Sequence, residues 1–279
     1  MNVQTLFDLT GRVALITGGA GFLGRQHASA LADANCKKVI LWDISSKALQ
    51  RAAEELNALY PDKIAIREVN ITDPQNVRTA VDEVRKAHGS LEVLVNNAGM
   101  TVAQGEEKFR KYFDPFESYP LELWEMALQV NLTGTFLVTQ ALAPLLKVSG
   151  KSSVINMASD IGVISPDHRI YRPNPERAFE GVPFNSPLSY ATSKAALIQM
   201  TKYWATYWAR DGIRSNAISP AGVENNQDKK FQRELVDRIP MGRMAKPYEL
   251  KGAIVYLASD ASSFMTGHNL VVDGGRTIW

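Results

Sequence analysis

The sequence predicts an α/β protein: a doubly wound, seven-stranded parallel sheet with helices on both faces. Short β-branched runs alternate with longer helical segments along the whole chain. Most of those runs are continuously apolar, as parallel strands covered on both sides must be. A glycine-rich turn also sits between the first strand and the first long helix.

Strands are expected at Arg12–Thr17, Lys38–Trp42, Lys63–Val69, Leu91–Val95, Ser152–Met157, Arg214–Ser219 and Asn269–Val272. Helices are expected at Gly24–Asp33, Ser46–Leu59, Pro74–His88, Leu121–Leu146, Tyr190–Arg210 and Pro247–Ser259. Thr72-Asp73-Pro74 is a strong helix start, a cap followed by proline in the first turn. No repeat, low-complexity tract or linker divides the chain, so one domain over 1–279 is expected. Two stretches interrupt the rhythm. Insertions at 102–120, rich in charge and aromatics, and at 165–187, rich in proline, both follow strand ends. That edge of an open α/β sheet is where ligands bind.

Apolar residues make up 45% of the chain and charged residues 22%, ordinary values for a globular protein with a sizeable core. The net charge of +2 gives no reason to expect nucleic acid or an anionic membrane as partner. Cys36 is the only cysteine, which excludes an internal disulfide. No metal site is expected, since His27, His88 and His268 lack ligand spacing. There is no spanning apolar run and no signal-like start in Met1–Thr10, so a cytoplasmic location is the expectation.

The turn Thr17-Gly18-Gly19-Ala20-Gly21-Phe22-Leu23-Gly24 suits a pyrophosphate. Glycines let the backbone turn tightly and approach the phosphates, and the helix N-terminus offers free N–H groups. Asp43, 19 residues beyond Gly24 at the end of the second strand, can accept bonds from the adenosine ribose hydroxyls. Its charge repels a 2′-phosphate, so NAD is expected over NADP; Arg25 beside the loop is the one feature against this. Later in the chain, Tyr190 and Lys194 stand one helical turn apart. A fixed positive charge near a phenol favours phenolate and lowers its pKa from about 10, which suits proton transfer. The plainer reading of that pair alone is a surface helix contact.

In this order the segments resemble the short-chain dehydrogenase/reductase family, a Rossmann-type fold. The resemblance runs from Leu9 to Gly275. It rests on Thr17–Gly24, Asn96-Asn97-Ala98-Gly99, Asn131, Ser159, Tyr190 with Lys194, Ser219-Pro220-Ala221-Gly222 and Asp273-Gly274-Gly275. It implies that Tyr190 exchanges a proton with the substrate oxygen, and that Ser159 hydrogen-bonds the same oxygen. Lys194 would hold the nicotinamide ribose and lower the Tyr190 pKa. Asn131 would support a water relay toward Lys194. Gly18, Gly21, Phe22, Leu23 and Gly24 would cradle the pyrophosphate, and Asn97, Ala98 and Gly99 would line the adenosine ribose side. Asn70 and Ile71 would lie at the adenine, and Pro220, Gly222 and Val223 near the nicotinamide. A small-molecule substrate and a homotetramer or homodimer follow from the same resemblance, with helices Leu121–Leu146 and Tyr190–Arg210 and the C-terminal segment as contacts.

The chain departs from the family pattern at Phe22, where a glycine is common. It departs again at Asn70, where an aspartate is common, and at Glu224-Asn225-Asn226, where a threonine is missing and Asn225 is the substitute. The interval from Ser159 to Tyr190 is long. Asp160–Arg172 and the ending Gly274–Trp279 are similar to a subgroup associated with bacterial surface-sugar and flagellin-glycosylation biosynthesis. His168, Arg169 and Arg172, with Arg177, are candidates for binding a substrate phosphate or carboxylate; a solvated loop or subunit contact is equally compatible with them. The expected activity is NAD(H)-dependent interconversion of a secondary alcohol and a ketone on a polar, sugar-like, possibly phosphorylated substrate. An epimerase or dehydratase that retains NAD, or a cofactor-binding regulatory module without turnover, are the alternatives.

Overall fold

The computed structural model describes residues 2–100, 111–171, 185–225, 227 and 229–279. All seven expected strands form: β1 Val13–Thr17, β2 Lys38–Asp43, β3 Ile64–Glu68, β4 Val93–Asn96, β5 Ser152–Met157, β6 Ile213–Pro220 and β7 Asn269–Val272. They pair in parallel in the order β3-β2-β1-β4-β5-β6-β7. The order reverses between β1 and β4, which opens a crevice at their carboxyl ends.

Nine described α-helices accompany the sheet: α1 Val3–Phe7, α2 Phe22–Asp33, α3 Ser46–Leu59, α4 Pro74–His88, α5 Leu121–Leu128, α6 Thr135–Ser149, α7 Leu188–Tyr207, α8 Lys229–Val236 and α9 Lys251–Ala258. The continuous apolar runs of the strands now have a cause. Ala14 and Ile16 pack with α2, α3 and α9 on one face. Val13 and Leu15 pack with α4, α6 and α7 on the other. Both sides of β1 are therefore desolvated, at about 1.5–3 kcal/mol for each large apolar side chain buried. Trp204 and Trp208, stacked at 6.1 Å, belong to the second core, so they pack the helix rather than offer a ligand platform.

Three expectations need correction. The single helix expected over Leu121–Leu146 is two helices, joined by a wider π-type turn at Gln129–Gly134. There Gly134 abuts Ile71, whose Cδ1 would lie 2.7 Å from any added Cβ, and Asn131 turns its amide into the core. These tertiary contacts displace the regular ladder, as such turns often do at functional positions. Helices α1 and α8 were not anticipated. Helix α8 is short and charge-rich, and only Leu235 of it is fully buried. The expected helix Pro247–Ser259 begins as a 3₁₀ turn over Pro247–Leu250.

The central strands are tied together by polar bonds that no pattern announced. Asn96 Nδ2 donates to Asn156 Oδ1 at 2.8 Å and to Thr139 Oγ1 at 3.0 Å; Asn156 Nδ2 donates to Thr201 Oγ1 at 2.8 Å. They fix β4 and β5 against α6 and α7, and so fix the strand ends that carry the site.

Candidate active site

A cavity of about 660 Å³ lies along the carboxyl ends of β1 through β6, at the order reversal. Its first wall is the glycine turn. Gly18 adopts φ +61°, and a Cβ there would sit 2.8 Å from Ala98 Cα. A Cβ on Gly24 would come 2.3 Å from Gly18 O, so Gly24 does not line the cavity but lets α2 press against the turn. Gly21 caps α2 without a side-chain bond, which leaves the first-turn N–H groups, those of Phe22 and Leu23 among them, for a ligand. Gly24→Ala is expected to lower stability by about 1–3 kcal/mol and weaken NADH binding at least tenfold. A thermal melt with an NADH titration checks both.

Asn97 fastens the turn from the other side. Its Nδ2 donates to Thr17 O at 3.1 Å and Gly18 O at 3.0 Å, while Thr17 Oγ1 accepts the N–H groups of Asn97 and Ala98. Asn97, Ala98 and Gly99 all line the cavity, as expected. Asp43 reaches it from β2 and accepts the Ala20 and Ser45 N–H groups, each at 3.2 Å. Arg25, the feature set against NAD, is paired with Glu55 at 2.6 Å. Asn70 and Ile71 also line the cavity. Asn70 Oδ1 accepts the Thr72 N–H and hydroxyl, so the amide NH₂ is the end left to meet a base.

The far end holds Ser159, Tyr190 and Lys194, brought together from β5 and α7. Gly162 makes this possible: a Cβ there would lie 2.7 Å from the Lys194 carbonyl carbon, so the turn after β5 sits flush on α7. Ser159 donates to Asp160 Oδ1 at 2.8 Å and lines the same cavity as the Tyr190 phenol. Lys194 is buried; its Nζ donates to Met157 O at 2.7 Å and lies 5.4 Å from the Tyr190 ring centroid. The expected lowering of the Tyr190 pKa does not appear. Burial pushes the phenol up to about 12, with the Asp160 charge adding to the rise, and brings the Lys194 ammonium down to about 8. Desolvation disfavours the charged form of each group.

Asn131 is fully buried and does not line the cavity. Its Oδ1 accepts the Met100 N–H at 2.7 Å and its Nδ2 donates to Ser193 Oγ at 2.9 Å. With both ends of the amide bonded to protein, the side chain is a bracket between the β4 loop and α7. Pro220 and Val223 line the cavity; Gly222 faces away, against Leu235 and Met244. Asn225 lines it as the departure from the family pattern suggested. Gln227 lines it too and was missed: its Oε1 accepts the Asn225 N–H and its Nε2 donates to Val223 O, each at 2.7 Å. A lone glutamine in a loop gives no sequence signal.

The described part of the candidate anion-binding loop does not line the cavity. His168 and Arg169 do not line it, and Arg172 lies outside the described residues, as does Arg177. Arg169 is exposed and forked onto Asp167, with Nη2 at 2.8 Å and Nε at 2.9 Å. Arg238 Nε reaches the same carboxylate at 2.5 Å. Arg169→Ala is therefore expected to change KM for neutral and anionic substrates equally, by less than about threefold, as for an exposed pair. Steady-state kinetics on matched sugar and sugar-phosphate substrates checks it.

Fold and cavity together define an α/β protein with a dinucleotide cradle at one end and a buried tyrosine–lysine pair at the other. A family model described as short chain dehydrogenase matches residues 12–171, and one described as enoyl-(acyl carrier protein) reductase matches 177–277. The chain belongs to the short-chain dehydrogenase/reductase family. It is 30% identical to an NAD-dependent glycerol dehydrogenase of Listeria innocua, over 98% of this chain and 96% of that one. It is 32% identical to a galactitol 2-dehydrogenase (L-tagatose-forming) of Cereibacter sphaeroides, over 100% of both. A gluconate 5-dehydrogenase from Burkholderia cenocepacia, solved with NADP and tartrate, superposes with a TM-score of 0.82 at 29% identity over 99% of each chain.

Proposed function

We propose that the chain is an NAD(H)-dependent oxidoreductase that interconverts a secondary alcohol and a ketone on a polyol- or sugar-like substrate, with Tyr190 as general acid and base. The observation that carries this reading is the convergence of Ser159, Tyr190 and Lys194 on the cavity that also holds the glycine turn. The residues fit a dinucleotide, since the turn is closed to any side chain and α2 begins uncapped. NAD, when bound, gives or takes the hydride. Tyr190 exchanges the matching proton at the substrate oxygen, Ser159 holds that oxygen, and Lys194 meets the cofactor ribose.

Asp43 at the cavity and the pairing of Arg25 with Glu55 favour NAD, although the Burkholderia relative was solved with NADP. Asp43 and Lys194 are the only charged side chains among the described lining residues, and Met100, Met126 and Val130 line the cavity as well. The relatives named for glycerol and galactitol, and the similarity of Asp160–Arg172 to surface-sugar enzymes, point to a polyhydroxylated carbon chain. A homotetramer is consistent with exposed Phe136, Tyr203 and Tyr207 on α6 and α7.

A panel of polyols with NAD⁺ and of ketoses with NADH, followed at the nicotinamide absorbance, tests the reading. NAD-linked turnover of at least one pair is expected. Tight NADH binding with no turnover across both panels favours the regulatory module.

A further inference from the structure

The loop after β6 holds an amide that the proton-transfer set does not use. Gln227 lines the cavity, and its side chain turns back on its own loop. Its Oε1 accepts the Asn225 N–H and its Nε2 donates to Val223 O, each at 2.7 Å. A donor at one end and an acceptor at the other leave the amide one orientation. Val223 and Asn225 line the cavity too, so Gln227 is bonded to residues of the cavity wall. The sheet says which end of the cavity this is. Asp43 comes from β2, the glycine turn from the end of β1, and Ser159 and Pro220 from the ends of β5 and β6. The order β2-β1-β4-β5-β6 sets these in a row. A dinucleotide with its adenosine ribose at Asp43 and its pyrophosphate at the glycine turn therefore extends its nicotinamide toward β5 and β6, where Val223, Asn225 and Gln227 follow.

The nicotinamide ring has one polar substituent, a primary carboxamide. Its oxygen needs a donor and its NH₂ an acceptor. Gln227 ends in the same chemical group and takes such a pair from the wall. We propose that Gln227 is an intramolecular stand-in for the nicotinamide carboxamide, holding Val223 O and the Asn225 N–H until the cofactor displaces it. This deepens, and rests on, the reading of the chain as an NAD(H) enzyme. The pair does not depend on Gln227 for its shape. Glu224 N–H donates to Ala245 O at 2.9 Å, and Ala245 N–H donates to Gly222 O at 3.0 Å. The Glu224 carboxylate also meets Lys246 Nζ at 2.6 Å. Gln227 is tethered separately, since Gln232 Nε2 of α8 donates to its backbone oxygen at 3.0 Å. The side chain can thus swing away while the backbone on both sides stays in place. Its departure costs two hydrogen bonds, and nicotinamide binding is weakened by that cost. The stand-in keeps the wall's polar groups satisfied and speeds release of spent cofactor.

The test is calorimetric titration of NADH, and of ADP-ribose, which lacks the nicotinamide, into the full-length protein and its Gln227→Met variant. Methionine keeps the length and bulk of the side chain but makes neither bond. NADH is expected to bind the variant about three- to tenfold more tightly, as the release of two hydrogen bonds allows. ADP-ribose is expected to bind both proteins alike. A glutamine that merely braces its loop gives the opposite sign, with NADH bound more weakly by the variant. Weaker or unchanged NADH binding, or an equal gain for ADP-ribose, overturns the proposal. The parent protein separates this result from the proposed function. A parent that binds NADH, with no gain in the variant, loses the stand-in alone; a parent that binds neither ligand loses both readings.

Discussion

Tyr190→Phe is expected to lower turnover by about 10²–10⁴-fold while NADH binds within about threefold of the parent. The ring is retained, so its packing near Lys194 survives; only the hydroxyl is lost. Proton exchange at the substrate oxygen then has no group of suitable geometry, because Lys194 Nζ is bonded to Met157 O. Turnover of the best polyol from the panel and an NADH fluorescence titration give the two numbers. Unchanged turnover would remove Tyr190 from the proton-transfer step.

The second large effect is on cofactor choice. Asp43→Asn keeps one oxygen, enough for either the Ala20 N–H held by Oδ2 or the Ser45 N–H held by Oδ1, and removes the charge that faces the cavity. The ratio of kcat/KM for NADP over NAD is expected to rise about 30–100-fold, roughly 2–3 kcal/mol of repulsion relieved. Adding Glu55→Ala releases Arg25 from its partner and is expected to raise the ratio further. A ratio unmoved by both changes would mean that the ribose end lies elsewhere.

The sheet was readable because its strands obey a simple demand. Val13–Thr17 is buried residue after residue, so it is apolar from Val13 to Ile16, and the Thr17 hydroxyl is bonded to the Asn97 and Ala98 N–H groups. The cradle was readable because close backbone approach leaves only glycine, as at Gly18 and Gly24. Tyr190 and Lys194 were readable because one helix fixes their spacing. What stayed hidden depends on partners far along the chain. Asn131 showed an amide but not that Met100 and Ser193 would use both its ends. Arg169 showed a charge but not that Asp167 and, through it, Arg238 would engage the loop. Asp160 and Arg276, a buried ion pair, carried no local pattern at all, since each is explained only by the other. The direction of the Tyr190 shift was hidden for the same reason: sequence spacing gives the ammonium, and only the fold gives the burial that raises the phenol.

The central claim is hydride exchange between NAD(H) and a carbinol carbon. Its most direct test is the fate of deuterium from [4,4-²H₂]NADH with the best ketose of the panel. One deuterium fixed at the new carbinol carbon for each NADH consumed is the expected result. Product formed with no net loss of NADH, or without deuterium at that carbon, would contradict it and favour an epimerase or dehydratase that retains its cofactor.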